Sequence, residues 1–395
     1  MANVVFLHPD LGIGGAERAM IDAALALKGR GHNVQFLTSH HSTTHCFEET
    51  RDGTLKVTVS GNWLPRSICG LCYALCAYLR MMWAALYLII SGIKFDVVIC
   101  DQVATCVPLL RWFTRAKIIF YCHFPDLLLT ERKTTLKRIY RKPLDYLEEY
   151  GTGKAHVILV NSQFTAEVFK KTFTSLNDVS PEVVYPIPSF EAFATDVSNV
   201  QIEDIPQNIR ILFLSINRYE RKKNLSLALH AMSKLENLDG VHLVMAGGYD
   251  DRVRENVEYY EELWRLREKL SLKDHVTFLR SISFEQKSAL LRKATCLIYT
   301  PSNEHFGITP LEAMLCQTPV IAVASGGPLE TISHNETGYL SKEEPNEFAK
   351  YMKKFAENPK LEKTMGEAGE RRVKRKFSFE AYSNQLEHIV HDLLR

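Results

Sequence analysis

Four short constellations carry groups suited to holding a polyanion beside a hydroxyl-rich molecule. The densest, Asn217-Arg218-Tyr219-Glu220-Arg221-Lys222-Lys223-Asn224, directly follows the apolar run Ile211 to Ser215. Cations fixed at the carboxyl end of a sheet strand are placed to neutralise a diphosphate; the alternative is a solvated basic turn. Gly12-Ile13-Gly14-Gly15-Ala16-Glu17 lies between a strand pattern and a helix pattern. Glycines there let backbone approach an anion, and a helix N-terminus supplies amides. Glu17 stands where the third glycine of a dinucleotide GxGxxG belongs, so that fingerprint is absent, and a tight βα turn is the competing explanation.

The third constellation is Glu304-His305-Phe306-Gly307-Ile308-Thr309-Pro310-Leu311-Glu312. Thr309 reads as an N-cap, Pro310 as the first helical residue, and Glu312 as the N3 partner of a capping box. Glu304 has no such structural reason to be there. It precedes the helix start, beside a glycine that permits close approach. Ser325-Gly326-Gly327-Pro328-Leu329-Glu330, after the strand pattern Pro319 to Ala324, reads as a second glycine-rich anion loop. One cationic loop, one acidic loop and two glycine bends on sheet edges describe a nucleotide-diphosphate site with a hydroxyl-rich neighbour.

Other chemistry-bearing residues are weaker. His123 follows the strand pattern Ile118 to Tyr121 and should project from a sheet edge; Asp126 lies three residues on. His40, His41 and His45 lack a fitting geometry. No DxD-type pair stands at a metal position, and Asp250-Asp251 reads as a turn, so no metal is expected. Cys69 and Cys72 form a CxxC without the second pair that zinc requires, and read as small core side chains.

The elements that must position these groups are short apolar strands alternating with helices. Val4 to Leu7, a helix from Ala16 to Gly29, and Val34 to Thr38 make a βαβ unit; Val97 to Cys100, Ile118 to Tyr121 and Val157 to Val160 continue it. The stretch Pro186 to Asn208 holds Pro186, Pro188 and Pro206 without periodicity, and the rhythm restarts at Ile211. The expected fold class is α/β, with two Rossmann-like doubly wound domains facing across a cleft. Expected boundaries are 1–190 for the first domain, 191–208 for a linker, and 209–377 for the second. A final helix is expected over 378–395.

Composition narrows the function classes. Of 395 residues, 46% are apolar and 24% charged, which excludes a disordered chain, a collagen-like repeat and a multi-spanning bundle. A formal charge of only +2 argues against bulk electrostatic binding of nucleic acid. The start, MANVVFLHPD, does not read as a signal peptide. Ile68 to Ile90 is almost continuously apolar apart from Arg80. It reads as a buried crossover helix, a helix lying on a membrane, or a span; a central Arg costs a span roughly 2.5–3.5 kcal/mol. The basic stretch Arg132, Lys133, Lys137, Arg138, Arg141 and Lys142, with Glu131 at its start as the only acid of the run, could meet anionic headgroups or a pyrophosphate at about 1 kcal/mol per charge. The alternative is a solvated basic helix.

Taken together, these motifs resemble the retaining GT-B glycosyltransferases of the glycosyltransferase family 4 type, which include sucrose and phosphatidylinositol mannosyl transferases. The resemblance rests on the Glu304-to-Glu312 pair, Gly14 to Glu17, the Arg218-to-Lys223 spacing and Gly326-Gly327. His8 to Arg18, Tyr121 to Asp126, Asn217 to Asn224 and Glu304 to Ile308 narrow it to the dolichol-pathway α-1,3/1,6-mannosyltransferases. Two positions depart from the broad family: Asn224, where glycine usually follows the lysine, and Arg280, where the base-contacting loop usually carries glycine.

The resemblance implies retaining transfer of mannose from GDP-mannose to a dolichol-diphosphate oligosaccharide, with no cofactor beyond the donor. It implies a place on the cytosolic face of the endoplasmic reticulum membrane, with other mannosyltransferases of the pathway as partners. It also implies that the first domain is the acceptor- and membrane-side domain and the second the nucleotide-sugar domain, with the final helix crossing back onto the first. Arg218, Lys223 and the N–H groups of Gly307 and Ile308 would carry the leaving diphosphate, with Gly14, Gly15, Gly326 and Gly327 allowing close approach. Glu312 would hold the ribose hydroxyls, and Glu304 the transferred sugar, either as a hydrogen-bond partner or as a nucleophile. His123 would contact the sugar or polarise the acceptor. The competing readings are a GT-B enzyme with another nucleotide sugar or lipid acceptor, and a non-catalytic nucleotide-sugar-binding membrane scaffold.

Overall fold

The computed structural model describes residues 1–130, 132, 134–202 and 205–395. It divides into two compact units: Met1–Ile187 with Phe379–Arg395, and Pro188–Ser378.

In the first unit seven parallel strands make one sheet: β1 Asn3–His8, β2 Asn33–Thr38, β3 Lys56–Val59, β4 Val97–Asp101, β5 Lys117–Cys122, β6 Val157–Val160 and β7 Glu182–Val183. Their spatial order is β3-β2-β1-β4-β5-β6-β7, so the order reverses at β1 and β4. Central strands are apolar along their length because both faces are covered. Val5, Leu7, Val98, Cys100, Ile118 and Phe120 feed one core; Val4, Phe6, Ile99, Ile119 and Tyr121 feed the other. The helices Gly15–Gly29 and Phe379–Leu394 pack on this second face, where the Tyr382 hydroxyl donates to the Ala19 carbonyl at 3.4 Å.

The apolar run behaves differently from a continuous 23-residue helix. Ile68 to Leu71 forms a tight reversal, with Cys69, Gly70 and Cys72 at positive φ, and the helix begins only at Tyr73. Tyr73–Ile90 is the β3–β4 crossover; Met81, Ala84, Ala85 and Leu88 are buried on the sheet. Arg80, the charge that interrupts the pattern, is buried and donates to the Ser39 carbonyl at 3.1 Å. Leu79, Met82, Leu86 and Ile90 are exposed on the opposite side. It is, among the described residues, the one helix long and apolar enough to cross a membrane. All nine cysteines are free thiols.

Within the basic stretch, Glu131 and Lys133 lie outside the described residues. Arg141 leaves the expected surface patch: its side chain is buried and bonded to Asp126 at 2.8 Å and Asp145 at 3.1 Å. Arg132 also pairs with Asp145, at 2.9 Å. Lys137, Arg138 and Lys142 remain exposed. Asp126 is correspondingly engaged rather than free for an acceptor.

The second unit carries six parallel strands: β8 Ile211–Ile216, β9 Val241–Gly247, β10 Val276–Arg280, β11 Cys296–Tyr299, β12 Val320–Val323 and β13 Gly338–Ser341. Their order is β10-β9-β8-β11-β12-β13. The order reverses at β8 and β11, and loops leaving the carboxyl ends of those two strands carry the cationic and acidic motifs.

Candidate active site

β8 and β11 lie side by side, so the turns that follow them converge. They line a cavity of about 590 Å³ with Asn217, Arg218, Lys223, Glu304, Gly307 and Ile308 among its walls. Lys223 Nζ stands 2.5 Å from Glu304 Oε2, and the Tyr299 hydroxyl donates to the same oxygen at 2.9 Å. Thr300 Oγ1 donates to the Lys223 carbonyl at 2.7 Å and ties the cationic turn to β11. Burial alone would raise the Glu304 pKa. The Lys223 charge and the two hydrogen bonds outweigh it and hold the carboxyl below its ordinary value. Arg218 is largely exposed at the rim and pairs with Glu220 at 2.6 Å.

The helix Ile308–Leu315 is capped differently from the sequence expectation. Its N-cap is Gly307, at φ 81°, with no side-chain cap. Thr309 is therefore inside the first turn and lines the cavity, and the Thr309–Glu312 capping box does not form. As at any helix start, the first amides have no intrahelical partners, and here no capping side chain takes them up. Glu312 points elsewhere: its carboxylate is 2.5 Å from Lys287 Nζ, and Lys287 is the residue of that pair that lines the cavity.

Gly326 and Gly327 support the acidic loop from beneath. Gly326 has φ 65°, and a Cβ there would come within 2.4 Å of the Glu304 carbonyl. The Gly327 N–H is donated to that carbonyl at 2.8 Å, so it is not available to an anion as expected. The helix after it has only four residues, Pro328–Thr331.

In the first unit a second cluster forms at the sheet's own reversal point. His8 ends β1 and Asp101 ends the adjacent β4; their side chains meet at 2.7 Å, Nδ1 to Oδ1. The other carboxylate oxygen, Oδ2, lies 3.0 Å from His123 Nε2. His8 Nε2 faces the Asp10 carbonyl at 3.0 Å and Glu17 Oε1 at 3.6 Å. Glu17 thereby occupies the glycine turn: a Cβ at Gly14 would sit 2.3 Å from its carboxylate. The helix start beside Gly14 and Gly15 thus already holds an anion of its own.

Residues 13–188 match the family described as Glycosyltransferase Family 4, and residues 201–372 match Glycosyl transferases group 1. The chain is 53% identical to the human "Alpha-1,3/1,6-mannosyltransferase ALG2", covering 99% of this chain and 96% of that one. It is 40% identical to the Saccharomyces cerevisiae protein of the same description, covering 99% and 85%. The chain belongs to the ALG2 alpha-1,3/1,6-mannosyltransferase family. Its fold is GT-B, shared with sucrose-phosphate synthase from Thermosynechococcus elongatus at a TM-score of 0.78, 19% identity and 99% coverage of both chains. Anabaena Alr3699/HepE in complex with UDP superposes at 0.77, with 17% identity and coverage of 99% and 100%.

Both departures of this ALG2-family chain from the broader pattern have a physical account. Asn224 adopts φ 45° and ψ 46°, the left-handed conformation that a glycine would supply and that asparagine tolerates well. Arg280 stacks over Tyr249 and Tyr260, at 4.9 and 5.3 Å from the ring centres. Sequence reasoning missed Lys287 and Tyr299 in the cavity and Asp101 in the first unit, and gave no role of their own to Asn217 and His8, which lie inside motifs it singled out. Asn217 lines the cavity with its Nδ2 buried and without a hydrogen-bond partner among the described residues.

Proposed function

We propose that the protein is a retaining α-mannosyltransferase that moves mannose from GDP-mannose to a dolichol-diphosphate oligosaccharide, forming α-1,3 and α-1,6 linkages. The observation that carries this reading is the Lys223–Glu304 pair in a cavity also lined by Gly307 and Ile308, in a chain of this family. As the glycosidic bond breaks, negative charge grows on the departing diphosphate. Preorganised cations and amides are then worth more than in water, and loss of one such contact typically costs about 2.7–4 kcal/mol. Lys223, Arg218 and the amides of Gly307 and Ile308 are assigned that work. Glu304, ionised and pinned by Lys223 and Tyr299, is assigned to a hydroxyl of the transferred sugar. Glu312 is assigned to the ribose, for which Lys287 must first yield its grip. His123 is assigned to a hydroxyl of the sugar or the acceptor. The acceptor's proton leaves with the phosphate on the same face, which preserves the anomeric configuration.

A lipid-linked acceptor and a place on the cytosolic face of the endoplasmic reticulum membrane accord with the exposed apolar side of Tyr73–Ile90 and with the Trp63–Trp83 edge contact beside it. The test is transfer of labelled mannose from GDP-mannose to a dolichol-diphosphate oligosaccharide in vesicles, with the product anomer assigned by NMR. An α-linked lipid product is expected. Donor hydrolysis alone, or a β-linked product, would overturn the reading.

A further inference from the structure

The four groups at the end of β1, β4 and β5 form a chain whose proton inventory follows from donor and acceptor counting. The Asp10 carbonyl can only accept, so His8 Nε2 at 3.0 Å carries a hydrogen. An ionised Asp101 can also only accept, so His8 Nδ1 at 2.7 Å carries the second. His8 is then an imidazolium, buried completely and matched by a carboxylate that is itself 1% exposed. Asp101 Oδ2 remains to receive His123 Nε2 at 3.0 Å, which puts a hydrogen on Nε2, so that a neutral His123 has Nδ1 bare. Among the described residues Nδ1 has no hydrogen-bond partner, and the His123 side chain is 20% exposed. The Tyr121 ring, 4.6 Å away, packs against the imidazole.

We infer that His8 and Asp101 are positioning residues that act through His123: they fix it as a neutral imidazole whose Nδ1 accepts a hydrogen bond from a substrate hydroxyl. This rests on the mannosyltransferase reading for the identity of the hydroxyl only. The logic is electrostatic. A carboxylate facing His123 alone would draw it toward the imidazolium form, which cannot accept a hydrogen bond. With His8 as its buried counter-ion, the Asp101 carboxylate already has its charge matched while it keeps its orienting bond to His123 Nε2. The other titratable groups around the cluster are Glu17 on the first helix, which faces His8, Cys100 beside Asp101 on β4, and Tyr121 and Cys122 on β5. Directions of the proton equilibria agree. Burial opposes charge on both partners, yet the contacts with Asp101 and, to a lesser degree, Glu17 raise His8 to about 10, and the His8 charge with the two hydrogen bonds holds Asp101 below its ordinary value.

Two measurements test this. Nitrogen-15 NMR of histidine-labelled wild-type protein needs no substrate and no variant. At pH 7.5 (a pH about one unit above an ordinary imidazole) His8 is expected to be protonated on both nitrogens and His123 on Nε2 only. A neutral His8, or His123 protonated on Nδ1, would overturn the inference whether or not mannose is transferred. The pH profile of transfer supplies the second readout. His8→Gln leaves Asp101 uncompensated, so the acid limb should move up by about one unit or more. Asp101→Asn should move it down, with a larger loss in kcat than in KM. Limbs that stay put in both folded variants would mean that the cluster is merely structural. Should His8→Gln fail to fold, the NMR assignment alone decides.

Discussion

Both units place chemistry at the reversal point of a parallel sheet, and they treat charge in opposite ways. At β8 and β11 the cations Arg218 and Lys223 and the carboxylate of Glu304 open onto a cavity of about 590 Å³. At β1, β4 and β5 the charges are folded inward: His8 and Asp101 are sealed, and of the three side chains joined through Asp101 it is His123 that reaches solvent. The first arrangement leaves charge to be completed by a ligand. The second completes it internally and uses the result to hold one ring. The difference teaches that position in the fold marks where chemistry can happen, and burial of the partners decides whether a group binds or positions.

The contrast yields ordered expectations. Lys223→Ala and Glu304→Ala should each lower transfer by about 10²–10³-fold in steady-state assays while the far-ultraviolet spectrum stays unchanged. Wild-type rates in either would dissolve the distinction between an open and a closed cluster. Gly326→Ala should destabilise by about 1–3 kcal/mol in denaturant unfolding, since its φ of 65° and the Glu304 carbonyl both resist a Cβ. It should also cost activity by displacing the acidic loop. An unchanged midpoint with full activity would show that this glycine is not needed there.

The sealed cluster predicts a pH signature in stability. His8 has a folded-state pKa raised from 6.5 to about 10. Its contribution is therefore complete below about pH 6.5 and is lost progressively as the pH climbs to about 10. Glu304 runs the other way: its depressed pKa gives stability above the ordinary carboxyl range that is lost on acidification. Melting temperature measured from pH 6 to pH 10 should fall in wild type (a window set by the imidazole and its raised value) and flatten in His8→Gln. The smallest effect is expected at Lys222, which is exposed and shares Glu220 with Arg218 at 3.1 Å. Lys222→Ala should change stability by less than about 0.5 kcal/mol and leave transfer intact. An Arg218→Ala variant equally silent would remove Arg218 from the site.

Much of this frame is legible in the sequence because central parallel strands are short, continuous apolar runs. Val157–Val160 has the same bounds in both readings, and the terminal helix, expected over 378–395, runs Phe379–Leu394. Edge strands escaped: Lys56–Val59, Glu182–Val183 and Gly338–Ser341 have two to four residues each and little alternation. The cap at Gly307 escaped because Thr309 offers a competing local solution that the φ of 81° at Gly307 pre-empts. His8 and Asp101 are 93 positions apart and meet only because β1 and β4 pair, Leu7 opposite Cys100. The available signal was a polar residue closing each apolar strand. Lys287 was equally hidden, since it reaches Glu312 from the separate helix Phe284–Lys293.

Calorimetric titration of GDP into the full chain tests the open cluster most directly. Lys223→Ala should weaken GDP binding by about tenfold or more, because a charge-assisted bond is lost. Glu304→Ala should bind GDP as tightly as wild type or tighter, because the carboxylate that now holds Lys223 is gone. Equal affinity of wild type and Lys223→Ala would contradict the assignment of this cavity to the diphosphate.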